Sequence, residues 1–171
     1  MVPPWREEPI ARAHRRGAFD CGVPALDEYL ARFARQDHEI GGAKTFVAVP
    51  VADPARVLGY YTLSPASLAY DRVPATVTRR LARHDVPVFR LGRLAVDRSM
   101  QGVGLGGQLL LAAGARALAV AAQAGGVALT IDAKDERAAR WYAAFGALPL
   151  LDAPHTLVLP FATLARVLAD E

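Results

Sequence analysis

Between the β-rich run Phe89–Val96 and the apolar run Leu109–Ala122 the chain carries Gln101-Gly102-Val103-Gly104-Leu105-Gly106. A glycine-rich turn that opens a helix leaves several backbone N–H groups without partners. It also sets the positive end of the helix dipole at the same point. Glycine lets a ligand come close to the main chain. Strand, turn and helix in this order commit the middle of the chain to an α/β unit. Residues 101–106 read as a cradle for an anionic group, phosphate first of all.

The flanking sequence extends the pattern. A first strand is expected within residues 5–16. Pro24 suits the first turn of a helix, in which Leu26, Tyr29, Leu30, Phe33 and Ala34 follow helical spacing up to Gly41-Gly42. Thr45–Val49 and Val57–Leu63 read as a hairpin around Asp53-Pro54, and residues 74–84 as a short basic helix or loop. Strand Val88–Val96 precedes the glycine turn, and helix 104–123 follows it, apolar almost all round and so expected to be largely buried. Then come strand Val127–Ala133, helix Asp135–Phe145 with Ala138, Trp141, Tyr142 and Phe145 inward, two short strands at 147–151 and 155–159, and a last helical turn or two from Pro160 to Leu168. The order is mixed α/β in a single domain over residues 1–171.

Composition narrows the class. Of 171 residues 53% are hydrophobic, which fits a globular domain with a substantial core. No apolar run of membrane-spanning length escapes interruption by Gly, Arg or Gln, and the opening Met1–Glu8 has no apolar signal core, so no membrane and a cytoplasmic location are expected. Lone Cys21 fits a reducing compartment and reads as a small buried hydrophobe. Net charge is only +3, yet all of the 20 basic residues except Lys44 and Lys134 are Arg. They cluster at Arg12, Arg15 and Arg16 beside His14, and again at Arg79, Arg80, Arg83, Arg90, Arg93 and Arg98. Each cluster is either a solvated face or a surface for a polyanion.

Three ligands compete for the glycine loop. A nucleotide loop of the Walker type needs Gly-Lys-Ser/Thr, and the chain continues instead as Gly106-Gly107-Gln108, which excludes it. Gly102–Gly107 matches G-x-G-x-x-G of dinucleotide folds, with Asp132 as a ribose-binding acid. Against this, Asp97-Arg98-Ser99-Met100-Gln101 separates the strand from the first glycine, and little chain remains to complete a doubly wound sheet. The third pattern, [Arg/Gln]-x-x-Gly-x-[Gly/Ala] shortly after a strand, fits throughout.

With Trp141-Tyr142-Ala143-Ala144-Phe145-Gly146 at the expected distance, the chain resembles the GNAT N-acetyltransferase superfamily over most of residues 19–160; Ala147 replaces the usual final Phe. The resemblance implies an α/β (α+β) fold with a mixed central sheet of six to seven strands flanked by helices. It implies acetyl-CoA as cosubstrate and no metal. Leu94, Ala95 and Val96 would offer backbone to the pantetheine arm, and Gln101, Gly102, Val103, Gly104, Leu105 and Gly106 would hold the pyrophosphate.

Amine attack on a thioester needs a neutral amine, a stabilised oxyanion and a proton for the departing thiolate. Periodicity alone reads Tyr142 as a core residue; the resemblance makes it the catalytic proton donor. Many family members carry a basic Glu on the strand before the loop, but Phe89–Leu94 holds two arginines and no carboxylate. An α-amine, near pKa 7.7–8.0, needs a base less than Lys near about 10.4. Asp132 and Asp135 remain as bases or caps.

Phe19–Leu30, Thr45–Ala48, Gly59–Ser64 and Leu91–Asp97 together look like the acetyltransferase toxins of type II toxin–antitoxin pairs. That similarity implies acetylation of the α-amine of aminoacyl-tRNA and arrest of translation. It also implies a ribbon–helix–helix antitoxin and a homodimer. Arg79, Arg80, Arg83, Arg90 and Arg93 would bind tRNA if they share a face. The alternatives are an acetyltransferase for a small-molecule amine or a protein N-terminus, and a non-catalytic CoA-binding module.

Overall fold

A computed structural model describes residues 1–170. Strands β1 (Trp5–Pro9), β2 (Lys44–Pro50), β3 (Gly59–Leu68), β4 (Val86–Val96), β5 (Ala128–Asp132), β6 (Leu148–Leu150) and β7 (Ala153–Pro160) form one seven-stranded sheet in the order β1-β2-β3-β4-β5-β7-β6. β1–β2 and β2–β3 run antiparallel, β4–β5 parallel, and β7 antiparallel to both β5 and β6. The helices are α1 (Pro24–Glu28), α2 (Ala34–Ile40), α3 (Ala75–Thr78), α4 (Leu105–Ala124), α5 (Glu136–Ala143) and α6 (Phe161–Ala169). This is the mixed sheet with flanking helices that the sequence implied.

The chain divides into two compact units, Met1–Ser64 with Gly92–Ala112, and Pro65–Leu91 with the chain from Ala113 onward. The first unit has a core of Phe19, Tyr29, Leu30, Val47, Val49, Tyr60 and Ala95, among others. The second packs Leu68, Val73, Val86, Val88, Ala128, Leu150 and Val158 together.

β1 lies within the expected residues 5–16 and stops at Pro9, where the Ala11 N–H bonds to His14 Nδ1 at 3.0 Å and closes a turn. Two elements differ from the sequence expectation, each for a physical reason. The first helix changes pitch midway. Tyr29–Phe33 is a π-turn, in which the Ala34 N–H reaches back five residues to the Tyr29 carbonyl. The wider turn keeps Tyr29, Leu30 and Ala34 buried but carries Phe33 out to 50% exposure. α4 is buried only along the stripe Leu105, Leu109, Leu110, Ala113, Gly114 and Ala117. Its other face is alanine-rich, and alanine serves there as a helix former rather than as core. By length and composition α4 would also be long and apolar enough to cross a membrane.

Candidate active site

In the first unit the site begins on β4. Its parallel pairing with β5 runs from Phe89↔Leu129 to Leu91↔Ile131, so Leu94–Val96 lie beyond it. Ala95 is buried, while Leu94 and Val96 are half-buried. After Val96 the chain turns through residues 98–100 as a single 3₁₀ turn capped by Asp97. Asp97 Oδ1 accepts from the Asp20 N–H at 3.0 Å, and Oδ2 from the Ser99 N–H at 3.1 Å and hydroxyl at 2.6 Å. Burial pushes the Asp97 carboxyl up, but the bonds from Ser99 and the amides outweigh it and hold the acid below its usual range.

The Gln101 side chain donates to two carbonyls, Cys21 at 2.8 Å and Val96 at 2.9 Å. Its amide group is thus a brace within the fold, and its contribution to a ligand is left to the main chain.

Beyond the brace, Gly102 and Gly104 have φ of +77° and +97°, which side-chain-bearing residues rarely adopt, and a Cβ at either would meet nothing within 4 Å. The open space over the turn is what a bound group needs. The first intrahelical bond of α4 is Gln108 N–H to Gly104 carbonyl at 3.2 Å. The N–H groups of Leu105, Gly106 and Gly107 therefore have no acceptor within the helix. Residues 101–104 are exposed. Loop and donors fit a pyrophosphate.

In the second unit, Asp135 caps α5 by accepting from the Ala138 N–H at 2.8 Å. Asp132 pairs with Arg90 at 2.8 Å and accepts from the Thr156 hydroxyl at 3.1 Å. Both candidate bases thus have structural partners. Tyr142 is half-buried near the end of α5, its ring edge-on to Trp141 at 4.9 Å. Its hydroxyl makes no hydrogen bond among the described residues. Burial pushes the phenol up to about 12, so it is protonated throughout the neutral range. Trp141, expected inward, is 38% exposed.

The arginines do not act as one set. Arg83 pairs with Asp71 at 3.0 Å and Arg90 with Asp132, whereas Arg79 and Arg80 are exposed without a side-chain partner among the described residues. The Arg93 guanidinium carbon sits over the Tyr29 ring, 3.4 Å from its centroid, and the Tyr29 hydroxyl donates to Asp37 at 2.8 Å. Sequence reasoning missed Tyr29 and Asp97 as supports of the site. An Asp followed two residues later by Ser at a strand end is a turn signal that marks Asp97; nothing local marks Tyr29. Among the described residues no three His, Cys, Asp or Glu side chains are arranged to hold a metal ion.

Comparison with known proteins adds identity to this geometry. The acetyltransferase (GNAT) family model matches residues 11–147. A tRNA-acetylating toxin of Mycobacterium tuberculosis is 38% identical over 128 residues, 75% of each chain. The solved structure of AtaT complexed with acetyl-methionyl-tRNAfMet matches with a TM-score of 0.89 at 25% identity, over 96% of this chain and 99% of that one. A Tyr-to-Phe mutant of the AtaT toxin, bound to acetyl-CoA and the C-terminus of the antitoxin AtaR, matches with a TM-score of 0.81 at 25% identity, over 96% and 98%.

Proposed function

The chain belongs to the acetyltransferase (GNAT) family, and from that premise we propose that it moves an acetyl group from acetyl-CoA to the α-amine of aminoacyl-tRNA and so blocks translation. The observation that carries this reading is the strand leading into the phosphate loop. β4 bears Arg90 and Arg93 and no carboxylate; Asp132 is taken up by the ion pair with Arg90, and Asp135 caps α5. Such a site suits a polyanionic acceptor whose amine arrives neutral without a strong base. An aminoacyl ester meets that requirement better than a lysine side chain, since the α-amine has a pKa near 7.7–8.0 against about 10.4.

In this mechanism the amine lone pair attacks the thioester carbonyl and the C–S bond breaks. Tyr142 gives its phenolic proton to the departing sulfur and is recharged by the proton that leaves the nitrogen. A phenol raised to about 12 is a weaker acid than free tyrosine. The same dry surroundings raise the basicity of the thiolate and narrow the mismatch. Backbone of Leu94, Ala95 and Val96 lines the pantetheine arm, and main-chain N–H groups over 101–106 hold the pyrophosphate. Arg79 and Arg80, exposed and without side-chain partners among the described residues, meet tRNA phosphates first, with Arg93; Arg83 and Arg90 join them by exchanging Asp71 and Asp132 for phosphate.

The two units act as one acetyltransferase domain, a reading supported by their boundaries, which fall inside β3, β4 and α4 rather than in linkers. The protein works in the cytoplasm as a homodimer and is neutralised by a small ribbon–helix–helix antitoxin. The test is to incubate the protein with labelled acetyl-CoA and bulk charged tRNA, with uncharged tRNA as control. Label on the charged pool alone is expected. Label that passes only to free amines or protein N-termini would assign the enzyme to another acceptor.

A further inference from the structure

Trp141 is not placed as a core residue. It is 38% exposed, although Tyr142 and Phe145 hold it edge-on at 4.9 and 5.0 Å. Tryptophan is buried on average, and an indole left partly open on a surface helix offers a face on which a base can stack. Arg137 precedes it by four residues on α5 and so shares its side of the helix. Lys134 stands just before the cap Asp135. Both cations are exposed, and neither has a partner among the described residues. The two acids between them are already engaged, Asp135 with the Ala138 N–H and Glu136 with Arg140 at 2.7 Å. Lys134 and Arg137 are therefore the cations of this segment without a paired acid, beside an open indole, while Asp135 keeps its charge at the cap.

We propose that Trp141, Arg137 and Lys134 hold the 3′-terminal nucleotide of the acceptor tRNA, with its base stacked on the indole and its phosphates on the two cations. The inference rests on the reading of Tyr142 as the proton donor. A purine nucleotide with phosphate could come from either substrate, since CoA also ends in a phosphorylated adenosine. Connectivity separates them. The adenosine of CoA is held a full pantetheine arm away from the thioester. The terminal adenosine of a charged tRNA carries the reacting amino acid on its own ribose. A platform one ring away from Tyr142 is within reach of the second and remote from the first.

The experiment compares wild type, W141A, W141F and R137A on bulk charged tRNA and on an equimolar mixture of amino-acid methyl esters, which carry the same amine without a nucleotide. Loss of one stacked base lowers the ratio of kcat/KM for tRNA over ester by about ten- to a hundredfold in W141A. W141F, which keeps a stacking face and the packing on Phe145, retains most of that ratio. R137A lowers the tRNA rate and makes its log–log salt dependence shallower by about one. If W141A raises the KM for acetyl-CoA and slows both acceptors alike, the platform belongs to CoA and the proposal is overturned. Equal slowing without a change in that KM assigns Trp141 to packing and also overturns it. A wild type inert on charged tRNA but active on the esters overturns the substrate reading and this inference together. An active wild type with unaltered ratios in W141A and R137A overturns the inference alone.

Discussion

Tyr142 has a hydroxyl that does nothing for the fold and, on the proposed mechanism, most of the proton transfer. Since it makes no hydrogen bond among the described residues, removing it leaves the ring packing against Trp141 in place. Tyr142→Phe should therefore bind acetyl-CoA as wild type does and lose about 10²- to 10⁴-fold in kcat, the usual worth of a positioned general acid. Steady-state kinetics with a direct CoA-binding measurement checks both halves, and an unchanged kcat removes Tyr142 from the mechanism. The pH profile follows from the same burial. The folded phenol titrates near 12, so activity should climb with the amine and show no descending limb from this residue below that value. Stability has the opposite slope: an acid whose pKa is raised by folding keeps its stabilising share below its unfolded value of about 10 and loses it as pH climbs further. Spacing placed Tyr142 inward, where it is half-buried, but misread its neighbour. Ala138, Trp141 and Tyr142 share apolar character, and spacing alone does not tell a packed indole from one offered to a ligand.

The turn between β4 and α4 shows which parts of an element a linear pattern can reveal. Its glycines were legible, because Gly102 and Gly104 sit where only glycine is comfortable. Its bracing was not, because the partners are remote in sequence: Asp97 bonds to the Asp20 amide 77 residues away and Gln101 to the Cys21 carbonyl 80 residues away. The π-turn at Tyr29–Phe33 escaped for a related reason, since its buried residues fit ordinary helical spacing until the extra residue appears. Asp97 accepts three hydrogen bonds in its ionised form, and an Asn there can serve only part of that set. Asp97→Asn should cost about 2 kcal/mol, in line with bonds made to a charged group. The carboxylate's stabilising share is complete above its unfolded pKa of about 3.9 and fades as pH falls through its lower folded value. Urea unfolding at pH 7 and again near pH 3 separates the two proteins: the gap should be wider at pH 7 than in acid. A gap equally wide at both would mean that shape, not charge, makes Asp97 matter.

At the scale of the whole molecule, net charge is a poor guide and free charge a better one. The formal surplus is only +3. Much of the arginine content is internally balanced, through Arg15–Asp53, Arg72–Asp152, Arg83–Asp71, Arg90–Asp132 and Arg98–Asp20. Composition could count these arginines but not pair them, because each bridge joins distant parts of the chain. What remains open includes Arg79 and Arg80, exposed and without side-chain partners among the described residues. Sequence reasoning grouped them with Arg83 and Arg90 as one track; the pairing now ranks them. An exposed cation already matched by an acid releases fewer counterions from a polyanion than an unmatched one. The acetylation rate on charged tRNA should therefore fall steeply with salt, while that on amino-acid methyl esters stays nearly flat. The double variant R79E/R80E should make the log–log slope shallower by about two, one for each lost phosphate contact. R83E should change it less, since its first effect is to set two acids, Asp71 and the new Glu, side by side. Rates measured from low to moderate salt with all three proteins decide the matter. A slope that R83E alters as much as the double variant would mean that the bridge to Asp71 opens on the RNA, and the ranking by pairing would fall.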